Sequence, residues 1–156
     1  MPSGAAPQLL RDLRIALVRS DALSIYETVA LEQRIVSGGR AVVLKDLDTV
    51  ADLDNLVQAV IIRLLTPKGE LAALGHADYG SRLPDLIGQP NTETRRNLAK
   101  LYVIEALKQE RRIAKILKVD VRPKPGERQV IEIFLSFLPI GSDVPIDVGP
   151  FAIALE

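Results

Sequence analysis

Between Asp52 and Gly88 the chain carries its most restrictive pattern: an amphipathic helix that is forced to stop, followed by a glycine-dependent corner. Leu53, Leu56, Val57, Val60, Ile61, Leu64 and Leu65 recur at i, i+3, i+4 and i+7, the spacing that lines one face of a helix. Asp52 precedes them and can accept a free backbone N–H of the first turn. Pro67 disfavours helical geometry at Thr66, so the helix is expected over Asp52–Leu65. Gly69, Gly75 and Gly80 then punctuate a turn-rich stretch from Thr66 to Gly80. Ser81 as cap and Gly88 as stop bracket a short helix over Ser81–Ile87.

The flanks supply the rest of an α+β fold, with helices packed on a small antiparallel sheet. A second long helix is expected from Thr92 to Ala114, capped by Asn91 or Thr92. Ile116 to Arg122 alternates, with Ile116, Lys118, Asp120 and Arg122 on one face and Leu117, Val119 and Val121 on the other. Pro123 to Glu127 reads as a turn. Gln129 to Leu138 is then a long strand with Ile131, Ile133, Leu135 and Phe137 on one face. A short last strand, Phe151–Leu155, follows a connection rich in Gly, Pro and Asp. Upstream, Leu9–Val18 fits both periods, and strand is the preferred reading. Thr28–Val36 and Arg40–Leu44, around Ser37-Gly38-Gly39, read as a hairpin. Residues 1–50 are therefore expected to be an N-terminal extension with strands and a hairpin, and residues 51–156 the main domain.

The core available to this fold is aliphatic, because 47% of the residues are hydrophobic, only 4% are aromatic and tryptophan is absent. The 20 basic residues equal the 20 acidic ones, a formal charge of zero, which does little to hold proteins apart and suits a subunit packed among partners. Cysteine is absent, which excludes disulfides, thiolate metal sites and cysteine nucleophiles. Met1–Pro7 lacks a basic n-region before an apolar run, and no apolar run approaches the roughly 18 residues of a membrane span. The expectation is a cytoplasmic protein without direct membrane insertion.

Little in the sequence supports catalysis. The one histidine, His76, has no cysteine or second histidine with which to build a transition-metal site. A serine triad would need it, and no Gly-x-Ser-x-Gly elbow is present. Glu70 and Asp78 flank His76 and could be a glycosidase-like pair, but no apolar pocket or aromatic sugar platform accompanies them. Gly38-Gly39 and Lys68-Gly69 lack the spacing of a phosphate loop. No enzyme activity, cofactor or metal is expected.

The second long helix is basic, with Arg95, Arg96, Lys100, Lys108, Arg111, Arg112, Lys115 and Lys118 against Glu93, Glu105 and Glu110. Such a face can bind nucleic acid; a solvated face, or one that meets an acidic partner, is the stronger reading. Glu110 falls within an apolar stripe of Val103, Ala106, Leu107, Ile113, Ala114 and Leu117. A carboxylate there is costly unless paired. Either it meets a cation from elsewhere in the fold or from a partner, or the helix ends at this point and turns it outward.

The run Arg63-Leu64-Leu65-Thr66-Pro67-Lys68-Gly69-Glu70, followed by His76-Ala77-Asp78-Tyr79-Gly80-Ser81-Arg82-Leu83, resembles the signature of the baseplate wedge and sheath-initiator family of contractile injection systems, once called phage tail lysozyme-like proteins. The family's closing Glu-Pro-Arg-Ile has its counterpart in Glu110-Arg111-Arg112-Ile113, with Arg111 in the place of proline; Leu71 stands where an arginine is usual. The resemblance covers about Leu53 to Leu138. It implies a sheath-handshake-like sheet and an architectural role without catalysis. Thr66, Gly69, Glu70, Tyr79 and Gly80 would form the structural motif. Glu110, Arg111 and Arg112 would contact wedge proteins. Phe151, Ile153 and Leu155 would form the edge to which sheath strands add, and deleting Phe151–Glu156 is expected to stop sheath assembly while leaving the fold largely intact. The implied partners are wedge and sheath proteins, with tube or hub proteins as further candidates, in several copies around a ring of a particle assembled in the cytoplasm. Nucleic acid is not among them. A peptidoglycan-cleaving, lysozyme-like hydrolase and a nucleic-acid-binding module stand as the alternatives.

Overall fold

Alternation of apolar and polar residues from Val130 to Leu138 builds the central strand, and the rest of the C-terminal half is arranged around it. The computed structural model describes residues 11–19, 25–29, 31–36, 42–47 and 49–155. By contacts these fall into two units, one up to Gln58 and one from Ala59.

In the first unit, three antiparallel two-stranded ladders are formed. Strand β1 (Asp12–Leu13) pairs with β6 (Thr49–Val50), β2 (Ile15–Arg19) with β3 (Ile25–Val29), and β4 (Leu31–Val36) with β5 (Val42–Leu47). The β4–β5 pairing is the expected hairpin, although its Ser37-Gly38-Gly39 turn lies outside the described residues. Thr28–Val36 is not one strand: Thr28 and Val29 belong to β3 and the rest to β4, and these pair with different neighbours. The Gln58 side chain brackets the start of this unit. Its Oε1 accepts from Ile15 N–H at 2.8 Å, and its Nε2 donates to the Leu13 carbonyl at 2.8 Å.

Helix α1 (Asp52–Leu65) has the expected bounds. Leu56, Val60 and Leu64 make its buried stripe, whereas Leu53 at its start is 42% exposed. Asp52 opens the helix at φ 55°, a left-handed conformation that aspartate tolerates better than most residues.

In the second unit, short 3-10 helices span Ala72–Leu74 and Leu83–Leu86. The latter replaces the expected Ser81–Ile87 helix, and Arg82 rather than Ser81 occupies its N-cap. Helix α2 (Glu93–Lys108) is capped by Thr92, whose hydroxyl accepts from Arg95 N–H at 3.2 Å. It stops six residues before the expected Ala114. Gln109 N–H bonds to the Ala106 carbonyl and Glu110 N–H to that of Leu107, so the last turn tightens and satisfies free carbonyls without glycine or proline.

Strands β7 (Ile113–Lys124), β8 (Glu127–Pro139) and β9 (Ile146–Ala154) form an antiparallel sheet in the order β7-β8-β9. On β8, Ile131, Ile133, Leu135 and Phe137 are all buried, as their period-two spacing predicts. On β7 the expected two-face alternation holds from Lys118 to Arg122 but fails at Ile116 and Leu117. The register slips between Ile116 and Lys118, and this bulge moves Ile116 to the side of Val119 and Val121, opposite Phe137, while Leu117 is left 46% exposed. Helix α2 lies against β7 and buries Ala99, Tyr102, Val103, Ala106 and Leu107. Each large aliphatic or aromatic side chain so buried contributes about 1.5–3 kcal/mol.

The last strand is nine residues long rather than five. Phe151 and Ile153 are half-buried opposite Ile133 and Ile131, and Leu155 is buried with its N–H donating to the Gln129 carbonyl. Deleting Phe151–Glu156 would uncover Ile131 and Ile133, which are 0% exposed; the strand is part of the core, which corrects the expectation that it is dispensable. A bulge at Gly149-Pro150 lets proline sit within it: Ile133 faces Phe151, but Leu135 faces Val148. Gly149 has φ 121°, and a Cβ there would lie 2.6 Å from the Ile133 carbonyl oxygen. Gly149→Ala is expected to lower stability by about 2–4 kcal/mol, read as a fall in the urea midpoint at unchanged slope.

Candidate functional site

The corner is closed at its neck by backbone pairing. Ser81 N–H donates to the Thr66 carbonyl at 2.8 Å, and Lys68 N–H donates to the Ser81 carbonyl at 2.8 Å. Beneath this bridge, the buried Ser81 hydroxyl donates to the Leu64 carbonyl at 2.6 Å and accepts from Leu83 N–H at 3.2 Å. It thereby satisfies one of the free carbonyls at the end of α1. Thr66 Oγ1 donates to the Ile62 carbonyl at 2.8 Å. The segment between Thr66 and Ser81 is therefore a loop with touching ends, compact in the manner of an Ω-loop.

Of the motif residues, Gly69 N–H donates to the Tyr79 carbonyl at 3.4 Å, and Glu70 N–H to that of Pro67 at 3.1 Å. Gly80 has φ 104° and lies directly against the Thr66 and Pro67 carbonyls. The Glu70, His76 and Asp78 side chains are all exposed, and none makes a side-chain hydrogen bond among the described residues.

Two contacts fasten the corner to α2. Lys68 Nζ lies 2.6 Å from Glu105 Oε1, and the hydrogen bond and charge of Lys68 hold the Glu105 carboxyl below its ordinary value. The Arg82 guanidinium stands 4.6 Å over the Tyr102 ring, a cation–π geometry.

A third contact converges on Glu110. Because α2 has already ended, Arg112 can turn back on Glu110: its Nε donates to Oε1 at 2.8 Å and a terminal nitrogen donates to Oε2 at 3.3 Å. From α1, Arg63 reaches the same carboxylate at 3.6 Å and stacks on Tyr79 at 4.4 Å. The Glu110 side chain is only 9% exposed. Burial pushes its carboxyl up, but the hydrogen bonds and charge of Arg112, with the charge of Arg63, outweigh that and hold it below its ordinary value. Both ideas about Glu110 were half right. The helix ends, yet the carboxylate stays inside and takes a cation from elsewhere in the fold. That cation, Arg63, is 12% exposed. It stands three residues after Val60, beside the α1 apolar stripe, but no pattern in the sequence pairs it with Glu110.

Of the candidate contact residues, only Arg111 is exposed; Glu110 and Arg112 pair with each other. Phe151, Ile153 and Leu155 point their side chains at the core or lie half-buried beside it. What β9 offers outward is its backbone edge, since among the described residues it pairs only with β8. Strand β7 is the opposite edge. Among the described residues no group of three or more His, Cys, Asp or Glu could hold a metal ion, and no helix is long and apolar enough to cross a membrane.

These features define an α+β protein in which two helices and a fastened corner accompany a three-stranded sheet open at both edges. The sequence matches no family model and no curated protein. Among solved structures, the fold is similar to the crystal structure of a "putative tail lysozyme" from Geobacter sulfurreducens, with a TM-score of 0.55 at 20% identity, over 65% of this chain and 89% of that one. At that identity the likeness is one of fold.

Proposed function

We propose that this chain is a non-enzymatic, structural subunit of a contractile tail or tail-like injection particle. In this reading it sits in the baseplate, binds wedge proteins, and starts the sheath by accepting a sheath strand on the free edge of β9. Main-chain hydrogen bonds along an edge supply affinity for an added strand, and an edge that is a hazard in a lone protein is a docking site in an assembly. The observation that carries the reading is the fold likeness to a Geobacter protein named as a tail lysozyme. The wedge contact is assigned to Arg111, held outward by the internal pair of Glu110 and Arg112. Assembly takes place in the cytoplasm, with several copies around the ring, tube or hub proteins nearby, and no nucleic acid bound.

The Geobacter neighbour's name also keeps a hydrolase reading in view, with Glu70 as its acid. One pair of experiments separates the two. Tagged full-length chain, purified from cells that make the particle, is expected to bring down sheath, tube and wedge proteins together. The same preparation is expected to leave the turbidity of isolated cell walls unchanged. Clearing that disappears in Glu70→Gln would replace the structural reading with the hydrolase, and a pull-down without sheath protein would remove the sheath role.

A further inference from the structure

Between α2 and β7 runs a groove of about 620 Å³, separate from the β9 edge and on the other side of the sheet. Helix α2 contributes Lys100, Ile104, Leu107 and Lys108, which share one side of the helix at i, i+4, i+7 and i+8. Strand β7 contributes every residue from Ile113 to Val119. Register shifts at Ile113–Lys115 and Ile116–Lys118 break the alternation along this segment, so the groove follows the length of the strand rather than one regular face. Among the described residues β7 pairs only with β8, which leaves its other edge with backbone donors and acceptors to offer.

Four lysines border the groove (Lys100, Lys108, Lys115 and Lys118), and no acid lines it. The nearby Asp120 is already engaged by Arg122 and lies 4.0 Å from Lys118. Lys108 and Lys115 make no ion pair among the described residues, and Lys100 acts on Asp120 through its charge alone. In a chain of zero net charge this is a local concentration of positive charge. The floor between the lysines is aliphatic. Leu107 and Val119 are buried, Ile116 is half-buried, and Leu117 is 46% exposed.

We propose that this groove receives an extended, amphipathic, acidic segment of a partner protein, added as a strand beside β7. Apolar side chains of the segment cover the aliphatic floor, and its carboxylates meet the lysines on both banks. Lysines on an edge strand can serve simply to keep other strands away. That explains Lys115 and Lys118, but not Lys100 and Lys108, which face the groove from the helix. The lysines also repel a second copy of the same edge, so the site discriminates against self-pairing while admitting an acidic strand. A nucleic acid fits less well, because no aromatic side chain lines the groove for base stacking and phosphates would leave the floor uncovered. The proposal is independent of the tail-assembly reading, and the failure of either leaves the other standing.

The test uses the full chain and a fluorescent peptide of about eight residues alternating Glu and Val, long enough to span Ile113–Val119 at about 3.3 Å per residue. Three comparison probes are the same peptide with Lys for Glu, the acidic peptide N-methylated at alternate backbone nitrogens, and an oligothymidine of similar length. The acidic peptide is expected to bind at least tenfold tighter than the lysine peptide and to weaken about tenfold between about 50 mM and about 300 mM salt. N-methylation is expected to abolish binding. Lys100→Gln with Lys108→Gln, exposed positions whose loss leaves the circular dichroism and melting curve unchanged, is expected to weaken it severalfold. Equal binding of acidic and basic peptides, no binding of the acidic peptide, full affinity in the helix-lysine variant, unimpaired binding of the N-methylated peptide, or tighter binding of oligothymidine would each overturn the proposal.

Discussion

Gly80→Ala is expected to be the most damaging single-methyl change in the C-terminal unit, with a loss of more than about 3 kcal/mol. Two independent costs add at this position. At φ 104° an L side chain crowds its own backbone, a strain of order 1–2 kcal/mol. The new Cβ would also lie 2.6 Å from the Thr66 oxygen and 2.8 Å from the Pro67 oxygen. Both neighbours are backbone, and Pro67 is rigid, so the clash is relieved only by parting the neck of the loop. Parting it breaks the two Thr66–Ser81 and Lys68–Ser81 bonds and pulls the Ser81 hydroxyl off the end of α1. A domain with a total stability of about 5–15 kcal/mol would lose a large part of it. Gly75→Ala is the internal control. Its φ of 84° carries the same kind of backbone strain, but a Cβ there meets nothing within 4 Å. Urea unfolding of the two variants separates strain from clash, and equal losses for both would refute the clash at Gly80.

Where sequence and structure agree, the same physical signal spoke at both levels. Helix α1 ends at Leu65 because Pro67 ends it, and the inward face of β8 follows from uninterrupted alternation. The corner was visible through its glycines, and Gly80 shows what one of them is for. The disagreements share a cause. Each falls where a local irregularity is satisfied by tertiary contacts that leave no turn residue behind. Helix α2 ends at Lys108 although the helical period of Val103, Ala106, Leu107, Ile113 and Ala114 continues past it. No glycine or proline marks the stop, and the only local sign was Glu110 within the stripe. The bulge at Ile116–Lys118 exchanges the faces of Ile116 and Leu117 without any glycine to announce it. In β9, Gly149 and Pro150 belong by composition to the connection rich in Gly, Pro and Asp, and only the bulge there admits the proline into a strand. At the candidate site, the identity of Glu110 was suggestive in the sequence, whereas its partner Arg63, 47 positions away (110 − 63), was a matter of packing between elements that periodicity does not describe.

Removing the Glu110 carboxylate should be nearly as costly, and it should carry a pH signature that Gly80→Ala lacks. Glu110→Ala leaves Arg63 and Arg112, 12% and 21% exposed, without their shared anion; breaking one side of such a pair costs about 3–5 kcal/mol. Glu110→Gln keeps the shape and some hydrogen bonding but not the charge, and is expected to lose about half as much. The sign of the pH effect follows from the depressed carboxyl. A group whose folded-state pKa lies below its unfolded value of about 4.3 contributes fully above that value and loses its contribution as pH falls through the folded one. The stability gap between the parent and Glu110→Gln is therefore expected to be widest near about pH 7 and to close below about pH 4. Urea denaturation of both proteins across that range measures it, and a gap that stays constant into acid would mean that the carboxylate's charge is not what stabilises the corner. The result also decides how a binding experiment at this corner can be interpreted. If Glu110 is an internal anchor, a partner lost in Glu110→Ala reports a loosened corner rather than a missing contact. Arg111→Ala, at the exposed position between the paired residues, is then the change that should leave the urea midpoint alone while weakening capture of wedge proteins if the proposed baseplate role holds.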